Sequence, residues 1–277
     1  MAGYQLLDAG EERKLELLGP YRVDRQAAQA YWPKSLDRKT WGKIDALHHR
    51  AKSGGGHWEW RKELPSQWTV PLEGFQFQVR LTDFGHIGLF PEQAENWSWL
   101  KGVAGRKPMR LLNLFGYTGG SSLAAARGGA EVTHVDASKG VVNWAKVNAE
   151  ANGIDRIRWI VEDVSRFVER EQRRGNSYQG IVLDPPSFGR GPRGQVWKIE
   201  TTLIPFLMQI KKILQPLQCV LLSCHTPGYS GLCLSNILHL VFDLPVAQIE
   251  CGEMTIPYGD REVGLALPSG HFARWSA

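Results

Sequence analysis

The chain has 277 residues, of which 43% are hydrophobic and 22% charged, and a formal net charge of +5. This length buries a sizeable core and leaves room for a catalytic domain plus a smaller module. The balanced composition excludes a disordered chain, and no run approaches the ~18 apolar residues of a membrane span. The N-terminus MAGYQLLDAGEERKLELLGP has no apolar core of signal-peptide type, so a cytoplasmic protein is expected. The basic excess permits a polyanionic partner without requiring one.

The first hundred residues hold seven of the eleven tryptophans and a Gly54-Gly55-Gly56 break, which predicts a small β-rich module over residues 1–75. Between Lys34 and Lys62 eight basic residues face three acidic ones and are interleaved with Trp41, Trp58 and Trp60. Cations neutralise phosphates and aromatic faces stack on unpaired bases, so the segment suits RNA. The same composition also describes a solvated basic face over a tryptophan-rich core.

From Met109 onward, short β-branched runs alternate with stretches of helical length, the pattern of βαβ units and a parallel sheet. Strands are expected at 109–115, 131–135, 157–161, 180–183, 219–223, 246–250 and 263–267. Helices are expected between them at 121–127, 138–152, 164–174, 201–214 and 232–242, with Ser138 as N-cap and Gly153 as stop of the second. The fold class is therefore α/β, a Rossmann-like seven-stranded sheet over residues 76–277 preceded by the smaller module.

The first of these strands runs into Asn113-Leu-Phe115-Gly116-Tyr117-Thr118-Gly119-Gly120. Glycines let the backbone turn sharply and approach a ligand with no Cβ in the way, and the carboxyl end of the first strand is the expected ligand crevice of an open parallel sheet. Asp136 closes the next strand, placed to accept both hydroxyls of a ribose, and Asp163 closes the third, placed to receive an adenine amine. The G-x-G-x-x-G spacing that seats a pyrophosphate is absent, which favours S-adenosylmethionine over a dinucleotide.

The fourth strand ends in Asp184-Pro185-Pro186-Ser187-Phe188. Two prolines fix the backbone and lack N–H donors, so the carbonyls beside them can be held toward a planar substrate while Phe188 offers a ring. A carboxylate, fixed carbonyls and an aromatic can grip a base by its amino edge, with Pro186, Ser187, Phe188 and Arg190 on the substrate side. Cys224 ends the fifth strand. It lies an odd number of residues from Cys219 and so on the opposite face. A thiolate there could attack C6 of a pyrimidine and make C5 nucleophilic; His225 or Asp184 could handle protons, and a buried packing thiol is the alternative. The four cysteines, Cys219, Cys224, Cys233 and Cys251, have no C-x-x-C pairing, so neither a disulfide scaffold nor a zinc site is expected.

The glycine turn from Asn113 to Gly119, Val135-Asp136-Ala-Ser138, Asp163, Leu183-Asp-Pro-Pro-Ser-Phe188, Lys198 and Ser223-Cys224 together resemble the bacterial 23S rRNA large-subunit methyltransferases of the cytosine-C5 type, over roughly residues 75–277. The resemblance implies strand order 3-2-1-4-5-7-6, an rRNA substrate, and Cys224 as nucleophile with Asp184, Pro185 and Lys198 beside it. It also implies that Gly88-Leu-Phe90-Pro-Glu-Gln93 closes over the cofactor, so Phe90 and Gln93 join Ser138 as cofactor contacts. Two departures stand out: Ser223-Cys224-His225 replaces the family's Ser-Cys-Ser, and no PUA domain is identifiable. Related guanine methyltransferases share the turn and the Asp-Pro-Pro loop without the cysteine. Transfer to a base amino group or ring nitrogen, a small-molecule substrate and a non-catalytic RNA-binding scaffold are the competing readings.

Overall fold

The computed structural model describes residues 3–51, 55–191, 194–259 and 264–277. The chain forms two compact units, Met1–Ala94 with Thr255–Ser269, and Glu95–Met254 with Gly270–Ala277.

In the first unit β1 (Tyr4–Gly10), β2 (Arg13–Leu18), β3 (Tyr21–Gln26), the short α1 (Arg38–Trp41), β4 (Ala46–Arg50) and β5 (Gly56–Trp60) build a five-stranded sheet in sequential order. All neighbours are antiparallel except β3 and β4. The hairpin β6 (Trp68–Leu72) and β7 (Phe75–Val79) turns through Glu73 and Gly74, both at positive φ, as a two-residue turn matched to strand twist requires. The core is unusual in holding charge. Glu16, fully buried, accepts from Arg25 Nε (2.6 Å) and Nη2 (2.8 Å) and from Tyr4 Oη (2.9 Å), and Lys14 Nζ lies 3.1 Å away. Burial alone would raise its carboxyl, but Arg25 first and Lys14 next overrule it and hold it down at about 2.

Within the basic segment Trp41 and Trp58 are buried, and Lys34 Nζ sits 4.3 Å over the Trp41 ring. Of the three interleaved tryptophans only Trp60 is largely open, at 52% exposure. Lys52 and Gly54 lie outside the described residues.

The second unit begins near α2 (Ala94–Ala104) and continues β8 (Arg110–Leu114), α3 (Gly120–Arg127), β9 (Glu131–Asp136), α4 (Lys139–Ala151), β10 (Ile157–Val161), α5 (Val164–Arg173) and β11 (Tyr178–Leu183). There follow a small ribbon, β12 (Phe188–Arg190) with β13 (Val196–Lys198), then α6 (Ile199–Lys211), β14 (Leu214–Cys224), α7 (Gly231–Phe242), β15 (Glu250–Pro257) and β16 (Ala266–Ser276). The sheet order is β10-β9-β8-β11-β14-β16-β15, with the first five strands parallel and β16 antiparallel to β14. Numbered within the sheet, that is 3-2-1-4-5-7-6, as expected. One face is covered by α5, α6 and α7 through a core of Leu112, Leu114, Phe167, Ile181, Leu183, Leu203, Phe206, Val220, Leu222 and Leu238.

Two local expectations are corrected, and two elements were not foreseen. Residues 246–248 of the strand expected at 246–250 form a 3-10 turn after Pro245, and the strand starts only at Glu250. The last strand, expected at 263–267, runs Ala266–Ser276 because residues 271–276 pair with β14; Val263 lies outside the described residues. Helix α2 and the ribbon β12–β13 were not anticipated. Among the described residues no helix is long and apolar enough to cross a membrane, and no group of three His, Cys, Asp or Glu side chains could hold a metal ion.

Candidate active site

The glycine turn departs from β8 with Phe115 at φ 57° and Tyr117 at φ 46°, and Gly119 (φ 92°) caps α3. Beneath it lies a buried polar stack: Asn113 Nδ2 donates to Ser122 Oγ (2.8 Å), which is 3.0 Å from His134 Nδ1 on the adjoining strand β9. Burial pushes His134 down to about 3, so the ring is neutral, and its Nε2 has no hydrogen-bond partner among the described residues. A Cβ on Gly116 would stand 2.5 Å from His134 Nδ1 and 3.0 Å from Nε2. A Cβ on Gly120 would stand 2.7 Å from Trp97 Cε2. The glycines are therefore dictated by close packing as well as by turn geometry. Thr118 is buried and its carbonyl accepts from Asn148 Nδ2 (2.9 Å), tying the turn to α4.

Asp136, at the end of β9, accepts Tyr117 N–H on Oδ2 (3.1 Å) and Ser138 N–H on Oδ1 (2.9 Å). Burial raises its carboxyl above the ordinary aspartate range, against the pull of the Ser138, Tyr117 and Ala137 amides. Each oxygen keeps acceptor capacity beyond one backbone bond, so the group can still take ribose hydroxyls. Ser138 is the N-cap of α4, its Oγ accepting from Val141 N (3.4 Å), and Asp163 is the N-cap of α5, its Oδ1 accepting from Arg166 N (3.1 Å). Ser138 thus caps its helix as expected, and Asp163 has a capping role that was not anticipated. A crowded turn stripped of Cβ atoms, flanked by carboxylates on the next two strand ends, fits an adenosyl group without a phosphate cradle.

The Asp184-Pro185-Pro186-Ser187 loop is fastened from three sides. Trp197 Nε1 donates to the Pro186 carbonyl (2.7 Å), Ile199 N to the Ser187 carbonyl (3.1 Å), and Ser187 Oγ lies 2.6 Å from Thr226 Oγ1. Pro185 is buried, and Asp184 Oδ2 lies 3.6 Å from His225 Nε2. Cys224 is on the face opposite Cys219, as its spacing requires, and both faces are packed: the Cys224 side chain is fully buried in a core with Val220, Leu222 and Leu234. Thr226 N–H donates to its Sγ (3.4 Å). Burial pushes the thiol up, and the Asp184 charge adds to the shift.

Phe188, Arg190 and Lys198 stand on the ribbon β12–β13, and all three are exposed. Phe90 and Gln93 belong to the first unit, where Pro91–Gln93 forms a 3-10 turn with Gln93 buried. Three residues that position the site were missed. No local signal marks them: Ser122 and His134 meet only where α3 lies against β9, and Trp197 faces Gly189 only once the ribbon has formed.

A Rossmann-like sheet with this turn, these acids and this loop defines a class I methyltransferase. The chain matches the S-adenosylmethionine-dependent methyltransferase family over residues 19–228 and belongs to it; S-adenosylmethionine is its cofactor. It is 38% identical to a solved S-adenosylmethionine-dependent methyltransferase from Agrobacterium tumefaciens, covering 100% of this chain and 91% of that one at a TM-score of 0.88. It is also similar to two curated proteins of Pseudoalteromonas translucida: ribosomal RNA large subunit methyltransferase K/L, 34% identical over 56% of this chain, and ribosomal RNA large subunit methyltransferase I, 29% identical over 66% of it. The chain spans 22% and 45% of those two relatives' lengths, less than half of either.

Proposed function

We propose that this methyltransferase acts on a base in ribosomal RNA, and that transfer goes directly to a base nitrogen held by Asp184 and the Pro185 carbonyl. The observation that carries this reading is the fastened loop. With the Pro186 and Ser187 carbonyls engaged by Trp197 and Ile199, the backbone next to Asp184 and Pro185 is fixed, which supports their carboxylate and carbonyl as the acceptors of an amino edge. The names of the curated relatives support the RNA substrate.

When bound, the cofactor supplies an electrophilic methyl on a sulfonium, whose C–S bond breaks on transfer and leaves its electron pair on sulfur as a neutral thioether. The glycine turn (Gly116, Tyr117, Thr118, Gly119, with Asn113 and Phe115 at its root) bounds the adenosyl pocket, Asp136 holds the ribose, Asp163 the adenine amine, and Ser138 completes the set. Asp184 accepts one N–H of the target amine and orients its lone pair, and the Pro185 carbonyl accepts the other N–H of a primary amine. When the C–N bond to the methyl forms, the nitrogen sheds one proton, for which Asp184 is the nearest base of the loop. The β-rich module, residues 1–75, contributes RNA contact through Trp60, Arg61 and Lys62, which line a groove of about 640 Å³.

Cytosine-C5 transfer through Cys224 is the second reading, favoured by the position of that thiol at the end of β14 near Asp184. Full burial and a raised thiol range both oppose a resting thiolate there. Nucleoside mass spectrometry of rRNA incubated with enzyme and cofactor separates the two. A methylated guanine or adenine nitrogen, with activity retained in Cys224→Ala, supports direct transfer. Production of 5-methylcytidine that disappears in Cys224→Ala overturns it in favour of the covalent route. Cofactor binding with no methylated nucleoside overturns the RNA substrate itself.

A further inference from the structure

The ribbon β12–β13 is a feature the cofactor pocket does not use. Its cross-strand pairs are Phe188 with Lys198, Gly189 with Trp197, and Arg190 with Val196. Alternation along each strand then sorts the side chains into two faces. Gly189 and Trp197 share the inner face, where the indole is 8% exposed, donates to the Pro186 carbonyl and packs edge-on against Phe115 (4.8 Å) and Phe206 (5.5 Å). Phe188, Arg190, Val196 and Lys198 share the outer face. Phe188 and Val196 are each 52% exposed, and the Arg190 guanidinium is 5.9 Å from the Phe188 ring. From 188 to 198 the sequence has Arg190, Arg193 and Lys198 and no Asp or Glu.

One tryptophan thus fixes the ribbon from beneath, and the ribbon carries no acidic side chain of its own to neutralise its outer face. An open ring between cations, with an apolar side chain beside it, matches an unpaired nucleotide: the ring stacks on the base and the cations take the phosphates on either side. An acidic peptide would use the cations alone and leave the ring and Val196 in water. A duplex would bring phosphates but keep its bases stacked away from the ring.

We infer that the outer face of the β12–β13 ribbon binds single-stranded RNA flanking the target nucleotide, with Phe188 stacking on a neighbouring base and Arg190 and Lys198 holding its phosphates. This rests on the RNA reading above. It places Phe188 beside the target rather than on it, and gives Lys198 a strand-binding role rather than a chemical one.

Fluorescence anisotropy with a labelled 15-nucleotide single-stranded RNA of mixed sequence, against the same sequence as a duplex, tests the inference. Wild type binds the single strand more tightly. Phe188→Ala weakens it about tenfold, Phe188→Tyr keeps it, and Phe188→Leu, which keeps bulk without a ring, does not. In Arg190→Gln/Lys198→Gln the slope of log affinity against log salt falls by about 1.4, roughly 0.7 for each single-strand phosphate that is no longer neutralised. Calorimetry with S-adenosylmethionine and thermal melting, both unchanged in these variants, show that the fold is intact. If wild type binds the strand and the variants bind it equally well with the same salt slope, the ribbon is not the site while the RNA reading stands. Preference for the duplex overturns the stacking role. Failure of wild type to bind any RNA overturns both.

Discussion

Gly116→Ala isolates one of the close contacts in the glycine turn. The backbone φ at Gly116 lies outside the left-handed region, so alanine meets no conformational penalty and its effect is steric alone. The new Cβ would stand 2.5 Å from His134 Nδ1, with Cε1 closer still, where about 3.4 Å is ordinary contact; roughly 0.9 Å of overlap must be relieved. The His134 ring has little freedom to yield. Its Nδ1 is 3.0 Å from Ser122 Oγ, Ser122 is in turn held by Asn113, and the ring lies 4.9 Å from Trp159. The turn is therefore the part that moves. Overpacking of this kind costs about 1–3 kcal/mol, and expressed as lost cofactor affinity that is a weakening of roughly 5- to 150-fold. Isothermal titration with S-adenosylmethionine measures it. The double variant Gly116→Ala/His134→Ala removes the obstructing ring and recovers affinity relative to Gly116→Ala, a coupling that a double-mutant cycle reads directly. Wild-type affinity in Gly116→Ala would refute the assignment of this turn as the pocket wall.

Asp136→Ala weakens S-adenosylmethionine binding by about 1–3 kcal/mol through lost hydrogen bonds. In wild type the affinity, followed by titration across pH, falls on acidification with a midpoint above the ordinary aspartate range, since the ionised carboxylate is the better acceptor and burial raises its pKa. The same upward shift has an opposite sign for stability: its contribution is full below the unfolded aspartate range and is lost as pH climbs through the raised pKa. Asp184→Ala leaves cofactor affinity unchanged and lowers turnover about 100-fold or more, read by methyl transfer to rRNA; equal losses of binding and turnover would contradict the site map. Glu16→Gln leaves Arg25 and Lys14 buried without their shared carboxylate and lowers stability by about 3–5 kcal/mol in chemical denaturation. Because Glu16 is held at about 2 against an ordinary 4.5, its contribution is full above pH 4.5 and disappears as pH falls toward 2.

The parallel strands were readable because each is a short apolar run closed by a turn signal, and Ser138 and Gly153 punctuate α4 as expected; Gly153 lies at φ 64° just past the helix. The edge of the sheet was not. Pro268, Ser269 and Gly270 interrupt β16 with residues that read as a loop, and only the pairing of 271–276 with β14 makes that stretch a strand. At 246–250 the apolar run was short enough to serve as strand or turn, and Pro245 decided for the turn. Helix α2 was legible in retrospect, since Asn96, Trp97, Leu100, Val103 and Ala104 are buried at helical spacing. Candidate cofactor residues could be proposed from the sequence because glycines and acids at strand ends carry their meaning locally. Ser122, His134 and Trp197 were invisible because their roles exist only across strands. Cys224 marks the same limit: spacing gave its face, but only packing showed that this face is the core.

Phe115 shows how the two halves of the site are held to one geometry. It sits at φ 57°, a conformation that costs a side-chain-bearing residue about 1–2 kcal/mol, at the point where β8 must release the chain into the turn. Its ring lies 4.8 Å from Trp197 and 6.2 Å from Phe206, and edge-to-face pairs of this kind contribute about 0.5–1.5 kcal/mol each beyond burial, enough to offset the strain. Trp197 is also the group that fixes the Pro186 carbonyl and carries the ribbon. One indole therefore touches the root of the glycine turn, clamps the Asp184–Ser187 loop and supports the β12–β13 ribbon. Transfer needs donor and acceptor aligned to a fraction of an ångström. β8 and β11, which release the turn and the loop, pair directly, and Phe115 packed on Trp197 adds an aromatic contact between the two just beyond the strand ends.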